Sequence, residues 1–243
     1  MVSKNQKKLI KSLYQKKYRK QHGLFIAEGK KVINELLEAN LKLNKLFTLD
    51  ENAFDVDDNL QLHVSIEELK QISFLTTPQT ALAIFFIPEM EEINTAGLIL
   101  ALDDIRDPGN LGTIIRLCDW FGISDLVCSS QTVDCFNPKV IQATMGSITR
   151  VNINYLDLGE FLRSQKSNAI IFGTFMNGDN LYSESLPEHA TIVMGNEANG
   201  ISKEIEKLID KRITIPQFGI NQKTESLNVA TATAIVLSEF KRS

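Results

Sequence analysis

The pattern of apolar and polar positions changes along the 243-residue chain. Near the start, four apolar residues recur at helical spacing between Leu9 and Tyr14. This spacing predicts one amphipathic helix from about Ser3 to Lys20, with a single apolar stripe. Gly23 follows and should end the helix.

Short apolar runs then alternate with helical patterns. Strands are predicted at Leu24–Ala27, Leu43–Leu49 and Ala81–Phe86, and helices near Val32–Leu37 and Ile66–Ile72. The order of strand, helix and strand is typical of a small α/β domain.

An acidic segment from Pro88 to Thr95 is the best candidate for a linker, because it combines proline with charged residues and has no periodic pattern. We therefore predict two domains, residues 1–90 and 96–243.

From Gly97 onward, apolar runs alternate with helical segments at short, regular intervals. These segments are Leu98–Leu102, Ile114–Phe121, Asp125–Cys128, Val140–Met145, Val151–Ile153, Phe161–Ser164, Ala169–Phe175, Thr191–Met194, Ile205–Ile209, Ile213–Ile215 and Val229–Phe240. Such alternation predicts a largely parallel sheet with helices on both faces. Ligands bind such sheets at the carboxyl ends of the strands, so the loops after Leu102, Met194 and Ile215 are the candidate site.

Composition narrows the class of protein. Hydrophobic residues make up 43% of the chain and charged residues 23%, as in ordinary globular proteins. No apolar run approaches the roughly 20 residues that cross a bilayer, and no apolar core follows the basic N-terminus as in a secretory signal. Cys118, Cys128 and Cys135 form no CxxC pair, so we expect them to be reduced and buried in a cytoplasmic protein.

Charge is distributed unevenly. Residues 1–31 contain ten Lys or Arg and one acidic residue, a net charge of +9, whereas the remainder has a net charge of −13. A basic segment that contains Tyr14 and Tyr18 suits a polyanion such as RNA. A solvated helix that only aids solubility fits the charge equally well.

The first candidate loop leads into a helix that contains an arginine. Pro108 and Gly109 favour a turn, and Asn110 would be a good N-cap for the helix. Arg116 interrupts an apolar stretch of that helix. Its guanidinium must extend to solvent, pair with a carboxylate or contact a ligand phosphate.

The other two loops are rich in glycine and small polar residues. Gly195 and Gly200 permit a tight turn with close approach of backbone to a ligand, and Glu197 at the end of a strand needs a partner. Ser226 or Asn228 could cap the last helix.

Other functional classes lack their motifs. There is no GxGxxG of a dinucleotide-dependent oxidoreductase and no GxxxxGK[ST] of a phosphate-binding loop. His22, His63 and His189 are widely separated, which gives no metal-ligand spacing. We therefore predict no metal site.

Taken in order, three motifs resemble those of the SpoU (TrmH-like) RNA 2′-O-ribose methyltransferases. They are Asp107-Pro108-Gly109-Asn110-Leu111-Gly112-x-x-x-Arg116, Gly195-Asn196-Glu197-x-x-Gly200-Ile201-Ser202, and Ile215-Pro216 followed by Glu225-Ser226-Leu227-Asn228-Val229-Ala230. The segment Phe25-x-Ala27-Glu28-Gly29 also resembles the RNA-binding domain, similar to ribosomal protein L30, that often precedes the catalytic domain.

The resemblance implies a C-terminal α/β methyltransferase domain with a trefoil knot, preceded by a small α/β L30-like domain. The residue pattern alone predicts an ordinary doubly wound sheet, since knots are rare. The resemblance also implies S-adenosylmethionine as cofactor, a homodimer, and rRNA or tRNA as substrate. A catalytically inactive RNA-binding protein of the same fold is the alternative, and the intact motifs weigh against it.

Site residues follow from the same resemblance. The catalytic set is Arg116, Asn110, Glu197, Ser226 and Asn228, and the cofactor-binding set is Met194, Gly195, Asn196, Gly200, Ile215, Pro216, Ser226 and Leu227. Arg116 would be either the base or a clamp on an RNA phosphate, and its persistent charge favours the clamp. Glu197 is a candidate partner for Arg116.

Two departures from the family pattern stand out. Ala198 replaces a usual glycine, which affects the local turn, and the polar Gly219–Glu225 loop is long, which affects the edge of the cofactor site.

Overall fold

The computed structural model describes residues 1–219 and 226–242. The chain forms two compact units. Unit 1 contains Met1–Glu89 together with Asp134–Thr149, and unit 2 contains Met90–Val133 together with Arg150–Ser243. The sequence analysis assigned all of 96–243 to one domain, whereas residues 134–149 pack within unit 1.

The helices are α1 (Lys4–Ser12), α2 (Lys16–His22), α3 (Lys30–Glu38), α4 (Ile66–Ile72), α5 (Pro108–Phe121), α6 (Pro138–Thr144), α7 (Leu158–Gln165), α8 (Lys203–Glu206) and α9 (Val229–Arg242). The strands are β1 (Leu24–Glu28), β2 (Leu43–Thr48), β3 (Gln61–His63), β4 (Ala81–Phe86), β5 (Leu98–Leu102), β6 (Asp125–Ser129), β7 (Asn152–Leu156), β8 (Ile170–Asn180), β9 (Ala190–Met194) and β10 (Lys211–Thr214). Single 3₁₀ turns occur at Asp58–Leu60, Ser147–Thr149 and Leu181–Ser183.

Unit 1 is built on a four-stranded sheet in the order β1-β4-β2-β3. Strand β4 is antiparallel to β1 and β2, and β3 is parallel to β2. Alternate residues of β1 point to opposite faces, so Phe25 packs with Ile141 of α6 and Ile26 packs in the core that contains Ile10 and Leu13. The basic N-terminal segment is therefore part of the core of unit 1.

The prediction of one helix from Ser3 to Lys20 is wrong, because the chain turns between α1 and α2. Arg19 explains the break: its buried guanidinium donates to the carbonyl oxygens of Leu13 and Tyr14, each at 2.8 Å. Its Nε also donates to Asp134 at 2.9 Å. Carbonyls that a continuous helix would use internally are thus bonded to a side chain.

Unit 2 is built on a six-stranded, entirely parallel sheet in the order β10-β8-β9-β5-β6-β7. This confirms the predicted parallel α/β architecture. Strands β5 and β9 are neighbours although about ninety residues separate them, so the loops that follow them meet at one sheet edge. The knot implied by the resemblance stays a prediction.

The three cysteines are buried and form no disulfide, as predicted. Burial raises the pKa of the Cys118 thiol. Within 1–219 and 226–242, no helix combines the length and apolar character needed to span a bilayer.

Candidate active site

A cavity of ≈790 Å³ opens in unit 2 between the loops that follow β9 and β10 and the start of α9. All eight residues of the predicted cofactor-binding set line it: Met194, Gly195, Asn196, Gly200, Ile215, Pro216, Ser226 and Leu227. The volume falls in the range of roughly 300–1,000 Å³ that is typical of small-molecule and cofactor sites. Two of the three loops chosen from the sequence, those after β9 and β10, therefore form one concave site, and no described residue of the loop after β5 lines it.

The loop after β9 folds back tightly on itself. Asn196 and Gly200 exchange two backbone hydrogen bonds, of 3.0 and 2.8 Å, and Gly200 has φ = 66°. A Cβ on Gly195 would lie 2.3 Å from both the Gly200 carbonyl carbon and the Ile201 nitrogen. Only glycine fits at position 195, so backbone forms this wall of the cavity.

Side chains join this loop to the loop after β5. The Asn196 amide donates to the Asp104 carbonyl oxygen at 2.7 Å, and its oxygen accepts from Ala198 N at 2.9 Å. Asp103 accepts from Ser202 N at 2.7 Å. Because Ala198 contributes only its backbone N–H here, the departure from the family's glycine leaves the turn intact.

The lining of the cavity fits S-adenosylmethionine in size and chemistry. Apolar side chains including Ile201, Ile213 and Val236 line it, which suits the flat apolar faces of an adenine ring. Gly195 and Ile215 also line it, so their backbone polar groups would be available to a bound cofactor.

Three predicted catalytic residues form a continuous hydrogen-bonded chain. Asn228 Nδ2 donates to Asn110 Oδ1 at 2.9 Å, and Asn110 Nδ2 donates to Glu197 Oε1 at 2.6 Å. Asn228 Oδ1 also accepts from Ala230 N at 3.0 Å and Thr231 N at 3.2 Å, so it caps α9. One residue from each sequence motif thus contributes to a single network.

The cap of α5 differs from the prediction. Asp107, rather than Asn110, occupies the N-cap, and its carboxylate accepts from Asn110 N at 2.8 Å. Pro108 takes the first helical position, where a missing N–H costs nothing. The Asn110 side chain is therefore free of the capping role and binds Glu197 and Asn228.

The structure does not support pairing of Arg116 with Glu197. Glu197 accepts from Asn110, whereas Arg116 is exposed on α5 and makes no hydrogen bond or ion pair with any residue the structure describes. Among the described residues, Glu197 and Ser226 of the catalytic set line the cavity, whereas Arg116, Asn110 and Asn228 lie outside its lining.

The family is shown by comparison with known proteins. Residues 97–238 match the SpoU rRNA Methylase family. The chain belongs to this family. Residues 4–83 match the MRM3-like substrate binding domain, so both units of this SpoU-family protein have a known counterpart.

Similar proteins include the 23S rRNA (guanosine(2553)-2′-O)-methyltransferase RlmP of Bacillus subtilis, 31% identical over 98% of this chain and 97% of that protein. A TrmH-family protein from Porphyromonas gingivalis superposes with a TM-score of 0.90 at 37% identity and covers 100% of this chain and 99% of that one. An AdoMet-bound rRNA methyltransferase from Sinorhizobium meliloti has a TM-score of 0.86 at 30% identity and covers 100% of this chain and 97% of that one.

Several residues at the cavity of this SpoU-family protein were not predicted from the sequence. Arg212 lies 3.6 Å from the ring centroid of Phe175, pairs with Glu206 and lines the cavity. Phe218, 81% exposed, stacks on Tyr182 with ring centroids 6.3 Å apart. No local motif marks these residues, because the contacts depend on how β8 and β10 pair.

Part of the third motif lies outside the described residues, namely Ile220–Glu225 of the Gly219–Glu225 loop. Within the described part of the chain, no three His, Cys, Asp or Glu side chains come together in a way that could hold a metal ion.

Proposed function

We propose that this protein transfers a methyl group from S-adenosylmethionine to a ribose 2′-hydroxyl of ribosomal RNA. The hydrogen-bonded chain from Asn228 through Asn110 to Glu197 supports this most strongly, because it places residues of all three motifs beside the cavity. The named relatives support rRNA as the substrate class.

The cofactor occupies the cavity of unit 2. When bound, S-adenosylmethionine supplies an electrophilic methyl group on a sulfonium. The site that holds it is lined by the eight predicted cofactor-binding residues: Met194, Gly195, Asn196, Gly200, Ile215, Pro216, Ser226 and Leu227. The narrow loop at Gly195 lets backbone groups contact the ligand directly, which fixes its orientation.

The ribose lies on the side of Asn110, Glu197, Ser226 and Asn228. Arg116 clamps an RNA phosphate, since its exposed guanidinium is not engaged by any described residue. Because arginine stays protonated at neutral pH, the hydroxyl proton leaves to another acceptor, such as a phosphate oxygen of the RNA or water.

Unit 1 binds RNA through the exposed lysines of α1 and α2. Lys8, Lys11, Lys16, Lys17 and Lys20 all face solvent, which suits contacts with phosphates. Arg19 does not belong to this surface because it is buried against Asp134.

The protein acts as a homodimer, and the interface includes the exposed face of α5. Trp120 on that face is 83% exposed, four residues after Arg116. Tryptophan is enriched at protein interfaces, which supports a partner on this face. The apolar face of α9 offers no such surface, because it is mostly buried within unit 2. The cytoplasmic location stays a prediction.

Two measurements test the proposal. Calorimetric titration should show binding of S-adenosylhomocysteine and no binding of NAD or ATP. Incubation with ribosomal RNA and methyl-labelled S-adenosylmethionine should then yield nucleotides methylated at the 2′-oxygen, identified by mass spectrometry. Binding of RNA and cofactor without methyl transfer would instead support the catalytically inactive RNA-binding protein.

A further inference from the structure

We infer that Asn228 and Asn110 are positioning residues that hold Glu197 as the hydrogen-bond acceptor for the ribose hydroxyl. This inference rests on the proposed function. Of these three hydrogen-bonded residues, Glu197 meets the substrate, and the two asparagines act through it.

The direction of the chain of hydrogen bonds follows from the chemistry of its two ends. At one end, α9 offers backbone N–H donors, so Asn228 must direct its oxygen to Ala230 N and Thr231 N and its amide nitrogen outward. At the other end, an ionised Glu197 only accepts. Asn110 lies between them and must direct its oxygen to Asn228 and its nitrogen to Glu197. The observed distances agree: Asn110 Oδ1 lies 2.9 Å from Asn228 Nδ2, and Asn110 Nδ2 lies 2.6 Å from Glu197 Oε1.

Only the final member of the chain reaches the cavity. Glu197 lines it, whereas Asn110 and Asn228 do not. Glu197 Oε1 is engaged by Asn110, and Oε2 has no hydrogen-bond partner among the described residues. Asn110 therefore holds the exposed carboxylate by one oxygen and leaves the other open to a hydrogen-bond donor. A ribose hydroxyl is such a donor.

The substitution Asn228→Asp separates the two roles of Asn228. Asp caps helices as well as Asn does, so α9 keeps its cap and the fold should be unchanged. The new side chain cannot donate to Asn110. The Asn110 amide can then donate to only one of its two flanking carboxylates: either it turns its oxygen toward Glu197, or it loses its contact with residue 228, and in both cases Glu197 is held less firmly.

A second substitution should reverse this defect. In Glu197→Gln alone, the amide oxygen meets Asn110 and the amide nitrogen faces the ribose, where an acceptor is needed. In the double variant, the Gln nitrogen can donate to the reversed Asn110 oxygen. The Gln oxygen then faces the ribose, so the hydrogen-bonded chain is complete in the opposite direction.

The experiment measures single-turnover methyl transfer to ribosomal RNA at saturating RNA and cofactor. We expect Asn228→Asp and Glu197→Gln each to lower the rate about 10- to 100-fold, the loss expected when a group that orients the reacting hydroxyl is displaced by about 1 Å. RNA and S-adenosylhomocysteine affinities should change less than about 3-fold. The double variant should be at least about 10-fold faster than the product of the two single effects predicts.

A matched control is available at another helix. Asn137 caps α6 by accepting from Lys139 N at 2.9 Å and lies outside the site, so Asn137→Asp makes the same change without altering the rate. Thermal melting of each variant checks that the fold is retained.

The positioning roles would be overturned if the rate of the double variant falls by the product of the two single effects. An unchanged rate in Asn228→Asp would overturn them as well. Failure of the proposed function gives a different result, because the wild-type protein would then form no 2′-O-methylated product.

Discussion

Replacement of Gly195 by alanine should selectively damage the cofactor site. The added Cβ would lie 2.3 Å from Gly200 C and Ile201 N and 2.7 Å from Gly200 O, all of them backbone atoms. Ordinary carbon contacts are about 3.5–4.0 Å, so the loop must open by roughly 1 Å. Overpacking of this kind costs about 1–3 kcal/mol. Since the same loop contacts the ligand, cofactor affinity should fall about 10- to 100-fold.

Calorimetric titration with S-adenosylhomocysteine measures this loss directly. Gly219→Ala is the matched control, because Gly219 also lines the cavity but a Cβ there meets no atom within 4 Å among the described residues. It should bind within about 2-fold of wild type. Wild-type affinity in Gly195→Ala, or an equal loss in both variants, would refute the role assigned to the narrow loop.

Three further outcomes are expected. Arg116→Ala should abolish methyl transfer and leave cofactor affinity nearly unchanged, and loss of cofactor binding in this variant would count against the clamp. Arg116→Lys should not restore activity, because lysine lacks the planar guanidinium that binds phosphate through two hydrogen bonds. A variant with four lysines changed to glutamine should have a slope of log RNA affinity against log salt that is flatter by about 3. The four are Lys8, Lys11, Lys16 and Lys17. An unchanged slope would exclude these lysines from the RNA interface. Sedimentation equilibrium at low micromolar protein should give twice the 27.3 kDa chain mass, and a mass of one chain would disprove the dimer.

The lysine substitutions are preferable to removal of the whole basic segment. Ile10 and Leu13 belong to the core of unit 1, and Arg19 is bonded to Asp134. Deletion of residues 1–20 would expose that core and confound any effect on RNA binding. Charge and periodicity indicated a surface segment but could not show how much of it is buried.

Local patterns predicted most elements of the fold. The continuous apolar runs became buried parallel strands such as β5 and β9, and Gly23 and Gly200 have the positive φ that turns require. Hydrophobic burial along one element depends on its own periodicity, so a single sequence is enough to detect it.

Long-range contacts were not predictable in the same way. The break between α1 and α2 depends on bonds from Arg19, which is itself held by Asp134, 115 residues away. The packing of residues 134–149 within unit 1 likewise depends on tertiary contacts such as that of Ile141 with Phe25. No periodicity within either segment encodes these partners.

The candidate site was predicted in part. Of the loops located by the strand-end rule, those after β9 and β10 line the cavity, and the family motifs supplied part of its lining. Arg116 was a candidate partner for Glu197, whereas the carboxylate accepts from Asn110, which the adjacency of β5 and β9 brings to it.

A ribose-methylation map of ribosomal RNA tests the central claim most directly. RNA from a strain that lacks this protein is compared with RNA from the parent strain and from strains complemented with wild type or with Arg116→Ala. We predict that one ribosomal nucleotide loses its 2′-O-methyl group, and that wild type restores it but Arg116→Ala does not. Identical maps in all four strains, or loss of a methyl group from a base instead of a ribose, would contradict the account.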